Sequence, residues 1–125
     1  MSGQSYRELT AWQRAMDFAE SVYVATRVWP RGELYGLTGQ VRRAAASIPS
    51  NIAEGQGRES DKDFLRFLAI AKGSLHETET QLMLVERLDY HHQETTRALL
   101  QQSAEVGRLV NGLMKSLRTR IARNH

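Results

Sequence analysis

The sequence predicts an all-α protein, an antiparallel up-down-up-down four-helix bundle with a proline-kinked second helix. Three observations carry that prediction. Four long stretches repeat apolar residues at intervals of three and four. Only two prolines occur among 125 residues, and no strand-like alternation persists beyond a few positions. Helices of about 22 to 30 residues span roughly 33 to 45 Å, and short connections turn sequential neighbours antiparallel. The length suits one domain, 1–125, with a core large enough to need no staples.

In the first helix Leu9, Trp12, Met16, Ala19, Tyr23 and Thr26 form one row, and Ala15, Phe18, Val22, Ala25 and Trp29 form a second beside it. Two capping-box patterns are available to open it, Ser5 with Glu8 or Thr10 with Gln13. Pro30 and Gly32 end it. The two apolar rows, with four large aromatics shared between them, exceed what one face of a four-helix core needs. The surplus points to an interface between subunits, or else to a broadly buried helix in a monomer.

The second helix is expected from about Glu33 to Gln56, with Leu34, Leu37, Val41, Ala45, Ile48 and Ile52 on its core side. Gly55 and Gly57 read as its stop, since glycine accepts the left-handed conformation that closes a helix. Inside it lies "SIPSNIAEGQGR", residues 47–58. Pro49 lacks the N–H that would bond the Ala45 carbonyl, so a kink is expected there. Ser47, Ser50 and Asn51 are placed to satisfy a freed carbonyl or a neighbouring helix. Gly73 and Ser74 supply small residues on the third helix, and together these predict close interhelical packing. A phosphate cradle is the weaker reading of the glycines, because no Gly-Lys-Ser/Thr follows and no strand precedes.

Ser60 and Asp63 begin the third helix, whose row is Phe64, Leu68, Ala71, Leu75, Thr78, Leu82 and Val85. The fourth follows "DYHHQE" with Leu99, Ser103, Val106, Val110, Leu113, Leu117 and Ile121 in register.

Composition restricts the chemistry. There is no cysteine, hence no disulfide, thiol nucleophile or thiolate metal site. His91 and His92 are adjacent and lack a third ligand at metal spacing. The acids of the third helix do not supply the paired Glu-x-x-His motifs of di-iron bundles. No enzyme, catalytic residue, metal or cofactor is therefore expected. The start of the chain has no basic stretch leading into an apolar core, and no run approaches a membrane span, so a cytoplasmic protein without membrane association is expected.

Charge is uneven. Residues 106–125 carry Arg108, Lys115, Arg118, Arg120 and Arg123 and no acid, whereas the preceding 105 residues carry 12 basic and 14 acidic groups. A basic last helix can meet phosphate backbones, or simply complement the helix dipole. Arg42 and Arg43 sit side by side on the second helix, and Arg43, Ser47, Ser50 and Glu54 form a polar track suited to an internal network or a subunit contact.

The strings "LTAWQRAMDFAESVY", "YGLTGQVRRAAASIPSNIAEGQGR" and "FLRFLAIAKGSLHETETQL" resemble the bacterial four-helix bundle family that includes proteins encoded in intervening sequences of large-subunit ribosomal RNA genes. Accessory proteins of diversity-generating retroelements are related to it. The resemblance covers roughly residues 6 to 90; the last helix matches in character alone. It implies an antiparallel bundle assembled as a homo-oligomer, a homopentameric ring, without catalytic activity. In the retroelement branch it implies RNA or DNA and a reverse transcriptase as partners. The family's motif positions are Gln40, Arg42, Arg43, Ser47, Pro49, Asn51, Glu54, Gly55, Gly57 and Arg58, with Lys72, Gly73 and Ser74 on the third helix. The functional expectation is a nonenzymatic oligomer binding nucleic acid through Arg42, Arg43, Arg58, Lys72, Lys115, Arg118, Arg120 and Arg123. The alternative is a protein-interaction scaffold with no nucleic-acid role.

Overall fold

A computed structural model describes residues 5–124. These form four α-helices, α1 (Thr10–Thr26), α2 (Leu37–Gln56), α3 (Asp61–Arg87) and α4 (Gln93–Arg123), with 3-10 turns at Tyr6–Glu8 and Arg31–Glu33 and no strand among the described residues. Each helix packs against its sequential neighbours, and α1 closes the bundle against α4. The order of cross-helix pairs fixes the directions. Ser47 meets Ser74 and Gln40 meets Gln81 between α2 and α3. Between α3 and α4 the pairs are Asp61 with Arg120 and Glu79 with Ser103. Sequence order reverses across each pair, so α2, α3 and α4 alternate in direction.

The apolar rows of α3 and α4 point inward as their spacing predicts. Leu68, Ala71, Leu75, Leu82 and Val85 are buried against Leu99, Val106, Val110 and Leu117, and Met114 joins them. In α1 the two rows separate only in part, since Ala19 and Thr26 of the first row are also buried. Ala15, Phe18 and Val22 are fully buried, whereas Met16 and Tyr23 of the other row are 44% and 43% exposed. The Ser5–Glu8 capping box forms, but it opens the 3-10 turn Tyr6–Glu8; α1 itself starts after Leu9 with no side-chain cap.

Two helix ends depart from expectation. α2 begins at Leu37, four residues later than Glu33, because a 3-10 turn at Arg31–Glu33 intervenes and Gly36 adopts a non-helical conformation. Leu34, read as the first core residue, is exposed there. At the other end Gly55 is still helical, and Gly57 caps α2 with φ −78°, so neither glycine takes the left-handed conformation assigned to this stop. That conformation belongs to Asp89 (φ 58°) after α3. There Tyr90 N–H donates to the Val85 carbonyl and Asp89 N–H to that of Glu86, the paired bonds of a Schellman ending.

The helix α2 is continuous through Pro49. Isolated helices lose roughly 3 kcal/mol to an interior proline, and here the fully buried Ile48 and Ile52 pack on both sides of it. Asn51 Nδ2 donates to the Ser47 carbonyl (2.8 Å) and to Ser47 Oγ (2.9 Å). Ser47 and Ser74 hydroxyls lie 2.9 Å apart, and Thr78 Oγ1 donates to the Ser74 carbonyl. The small polar residues thus link α2 to α3. Gly73 does not take part: a Cβ there would have nothing within 4 Å. Gly55 provides the close approach instead, since its Cβ would stand 2.7 Å from Phe67 Cβ and 2.9 Å from Phe64 Cδ1.

At the far end of the bundle Trp29, Tyr90 and His91 form an edge-to-face cluster. Tyr90 Oη donates to Glu33 Oε2 at 2.5 Å, and that bond raises the phenol's pKa. Trp29 Nε1–H donates to His91 Nδ1 (3.3 Å) while His91 Nε2 sits 2.7 Å from Thr96 Oγ1. With Nδ1 accepting, Nε2 carries the proton and the ring is neutral. Burial lowers the His91 pKa below 6.5; Glu86 opposes that and His92 adds to it. A folded-state pKa below the unfolded one means the contribution is complete above pH 6.5 and is lost as pH falls below it. Thermal melting is therefore expected to weaken between pH 7 and 5 by less in His91→Gln than in the parent; equal weakening would remove His91 from the account.

Candidate nucleic-acid interface

The basic residues predicted as one binding set occupy three places. The antiparallel order brings the C-terminal ends of α2 and α4 together with the start of α3, where Leu9, Arg58, Asp61, Leu113 and Arg120 line a common cleft. Because Val110, Met114 and Leu117 bury one side of α4, helical spacing sends Lys115 and Arg123 outward, with Arg118 on one flank and Arg120 on the other. Lys115, Arg118 and Arg123 are exposed and have no ion pair among the described residues. Arg120 is different: its Nε and Nη2 donate to the two carboxylate oxygens of Asp61 at 3.1 and 2.8 Å. This bidentate pair ties the end of α4 to the first turn of α3.

Arg58 joins the same end. It pairs with Glu54 at 2.8 Å and its guanidinium carbon lies 4.7 Å from the Phe67 ring centroid. Glu59 and Asp63 are also exposed nearby in sequence, so the cationic surface is the outer side of α4 with Arg58 at its edge, not the whole end of the bundle.

Arg42 and Arg43 lie in the opposite half of α2. Arg42 Nε donates to Thr26 Oγ1 (2.7 Å) and its guanidinium covers the Tyr23 ring at 5.0 Å, so this side chain is committed to holding α1 on α2. Arg43 is exposed and unpaired among the described residues, with one Nη 3.1 Å from where a Gly39 Cβ would be. Lys72 is half-buried midway along α3. The track from Arg43 to Glu54 does not connect. Ser47 bonds across to α3, Ser50 donates back to the Ala46 carbonyl, and Glu54 pairs with Arg58.

One cation outside the predicted set lies beside Arg58. Arg66 stands 4.6 Å from the same Phe67 centroid that Arg58 faces. Lys62, one turn before it on α3, is the sequence signal that marks that face as basic.

A second surface is apolar. Trp12, Met16, Ala19 and Tyr23 of α1 and Pro49 and Ala53 of α2 line an open groove. Among the described residues no three His, Cys, Asp or Glu side chains cluster to hold a metal ion, and no helix is long and apolar enough to cross a membrane.

Comparison with known proteins agrees with this architecture. A family model described as 23S rRNA-intervening sequence protein matches residues 7–112, reaching well into α4 beyond the motifs of the first three helices. Among solved structures, a protein of unknown function from the S23 ribosomal protein family of Bacteroides thetaiotaomicron VPI-5482 is similar over 85% of this chain and 99% of its own. The two share 26% sequence identity, with a TM-score of 0.77. No curated protein matches the chain.

Proposed function

The chain belongs to the 23S rRNA-intervening sequence protein family, and from that premise we propose that it is a nonenzymatic, cytoplasmic helical bundle that binds RNA or another nucleic acid. The observation that carries this reading is the run of exposed Lys115, Arg118 and Arg123 on α4, none of them in an ion pair among the described residues. Cations left free in this way release counterions from a phosphate backbone on contact, which is the main source of sequence-independent affinity.

The bundle acts as a homo-oligomer, a homopentamer being the first arrangement to test. The groove between α1 and α2, where Met16 and Tyr23 remain exposed beside Pro49, is the surface offered for that contact. The same groove favours the second reading, a protein scaffold without a nucleic-acid role.

Titration of the purified protein against fluorescent structured RNA and single-stranded DNA, at about 50 and 200 mM salt, separates the two. Binding that weakens steeply with salt supports nucleic-acid recognition. No binding at the lower salt would leave the scaffold reading, for which a pull-down for partners is the next experiment. Light scattering gives the subunit number.

A further inference from the structure

Phe67 is 8% exposed and is seated in the α2–α3 corner that the missing Cβ of Gly55 makes possible. Two guanidinium groups lie against it, Arg58 from the end of α2 at 4.7 Å and Arg66 from α3 at 4.6 Å. Each contact holds a flexible side chain by the attraction of a cation for an aromatic ring. Each guanidinium faces one carboxylate and keeps N–H donors that bond nothing among the described residues. Arg58 makes one hydrogen bond, to Glu54, and Arg66 has only Asp63 at 3.8 Å, without a hydrogen bond. Both side chains are exposed, so their remaining donors are open to an acceptor from outside the bundle.

We propose that Arg58 and Arg66, organised by the Phe67 ring, grip neighbouring phosphodiester groups of a bound nucleic-acid strand, one each. The guanidinium fork suits phosphate because two parallel N–H groups meet two oxygens. The grip is on the outside of the bundle, with no walls to enclose a small anion. It shares an end with the α4 cations, so an extended polyanion can reach both. This rests on the nucleic-acid reading proposed above and adds the residue Arg66 and the geometry of the contact.

The test compares Arg58→Gln, Arg66→Gln and, as a control at the other end of α4, Arg97→Gln, each titrated with the same RNA and single-stranded DNA across a salt series. Either grip variant is expected to lose about five- to eightfold in affinity near 0.1 M salt. The slope of log K against log salt should fall by about 0.7 for single strands or 0.9 for duplex. Arg97→Gln should bind like the parent. Parent-like affinity and slope in Arg66→Gln would overturn the grip while leaving the nucleic-acid reading intact, and so would equal losses in Arg97→Gln. A parent protein that binds neither probe would overturn both.

Discussion

Gly55→Val is expected to lower stability by about 3 kcal/mol, and the melting temperature by roughly 10 °C for a domain of this size. The first atom of the new side chain would stand 2.7 Å from Phe67 Cβ and 2.9 Å from Phe64 Cδ1, with the Phe64 carbonyl at 3.4 Å. Neither neighbour can yield cheaply. Phe67 is buried and its Cβ is fixed to the α3 backbone, so relief requires α2 and α3 to separate at this corner. The gain in helix propensity on replacing glycine offsets only about 1 kcal/mol or less. Two other glycines isolate the cause. A Cβ at Gly57 would find its nearest neighbours at 3.6 and 3.7 Å, with φ at −78°, and one at Gly73 would find nothing within 4 Å. Alanine at either should leave stability unchanged or raise it by up to about 1 kcal/mol. Thermal melts of the three variants decide it: a Gly55→Val protein melting within 2 °C of its parent, a threshold set well inside the roughly 10 °C expected, would mean that the corner is looser than its distances indicate.

Those three glycines also show where sequence reasoning stops. Spacing alone identified α3 and α4 because each carries a single unbroken apolar row, so only one side of the helix can face inward. In α1 both rows are apolar, and nothing local distinguishes Ala15, Phe18 and Val22, which are buried, from Met16 and Tyr23, which are not. The start of α2 was misplaced for a related reason. Leu34 is in phase with Val41 and Ile48, yet the chain turns at Gly36 while Tyr90, 57 residues further on, holds Glu33. The polar link at Ser47, Asn51 and Ser74 was legible because short side chains beside a proline need partners, and the nearest small residues lay on the neighbouring helix. Gly73, adjacent to Ser74, was credited with the same role and faces away, since one step along a helix turns a residue by about 100°.

The candidate surface was legible as charge and illegible as geometry. A list of arginines cannot say that Arg42 is occupied by Thr26 and Tyr23, that Arg120 is spent on Asp61, or that Arg66 shares a ring with Arg58. Each of those facts depends on a contact between helices whose pairing is a property of the assembled bundle. What the sequence did carry was the acid-free stretch from Val106 onward.

That stretch supplies the second large effect. Replacing Lys115, Arg118 and Arg123 together by glutamine is expected to reduce nucleic-acid affinity by roughly a hundredfold or more near 0.1 M salt. The salt slope should fall by about 2 to 3, since each phosphate contact contributes about 0.7 to 0.9. The loss should be similar for every sequence tested, because contacts to phosphates carry no base information. Arg120 is deliberately left in place. Its two hydrogen bonds to Asp61 join α4 to α3, so removing it would weaken the fold and confuse a binding defect with a folding one. The three chosen cations form no ion pair among the described residues, and exposed charges of that kind contribute little to stability. The triple variant should therefore melt within a few degrees of its parent while binding poorly. Unchanged affinity in a normally folded triple variant would exclude the outer side of α4 from the interface. Binding carried by the Arg58 and Arg66 corner alone would then show a parent slope of only about 1.4 to 1.8. The slope of the parent protein is thus informative before any variant is made: a value near 4 requires both surfaces, and one below 2 requires only one of them.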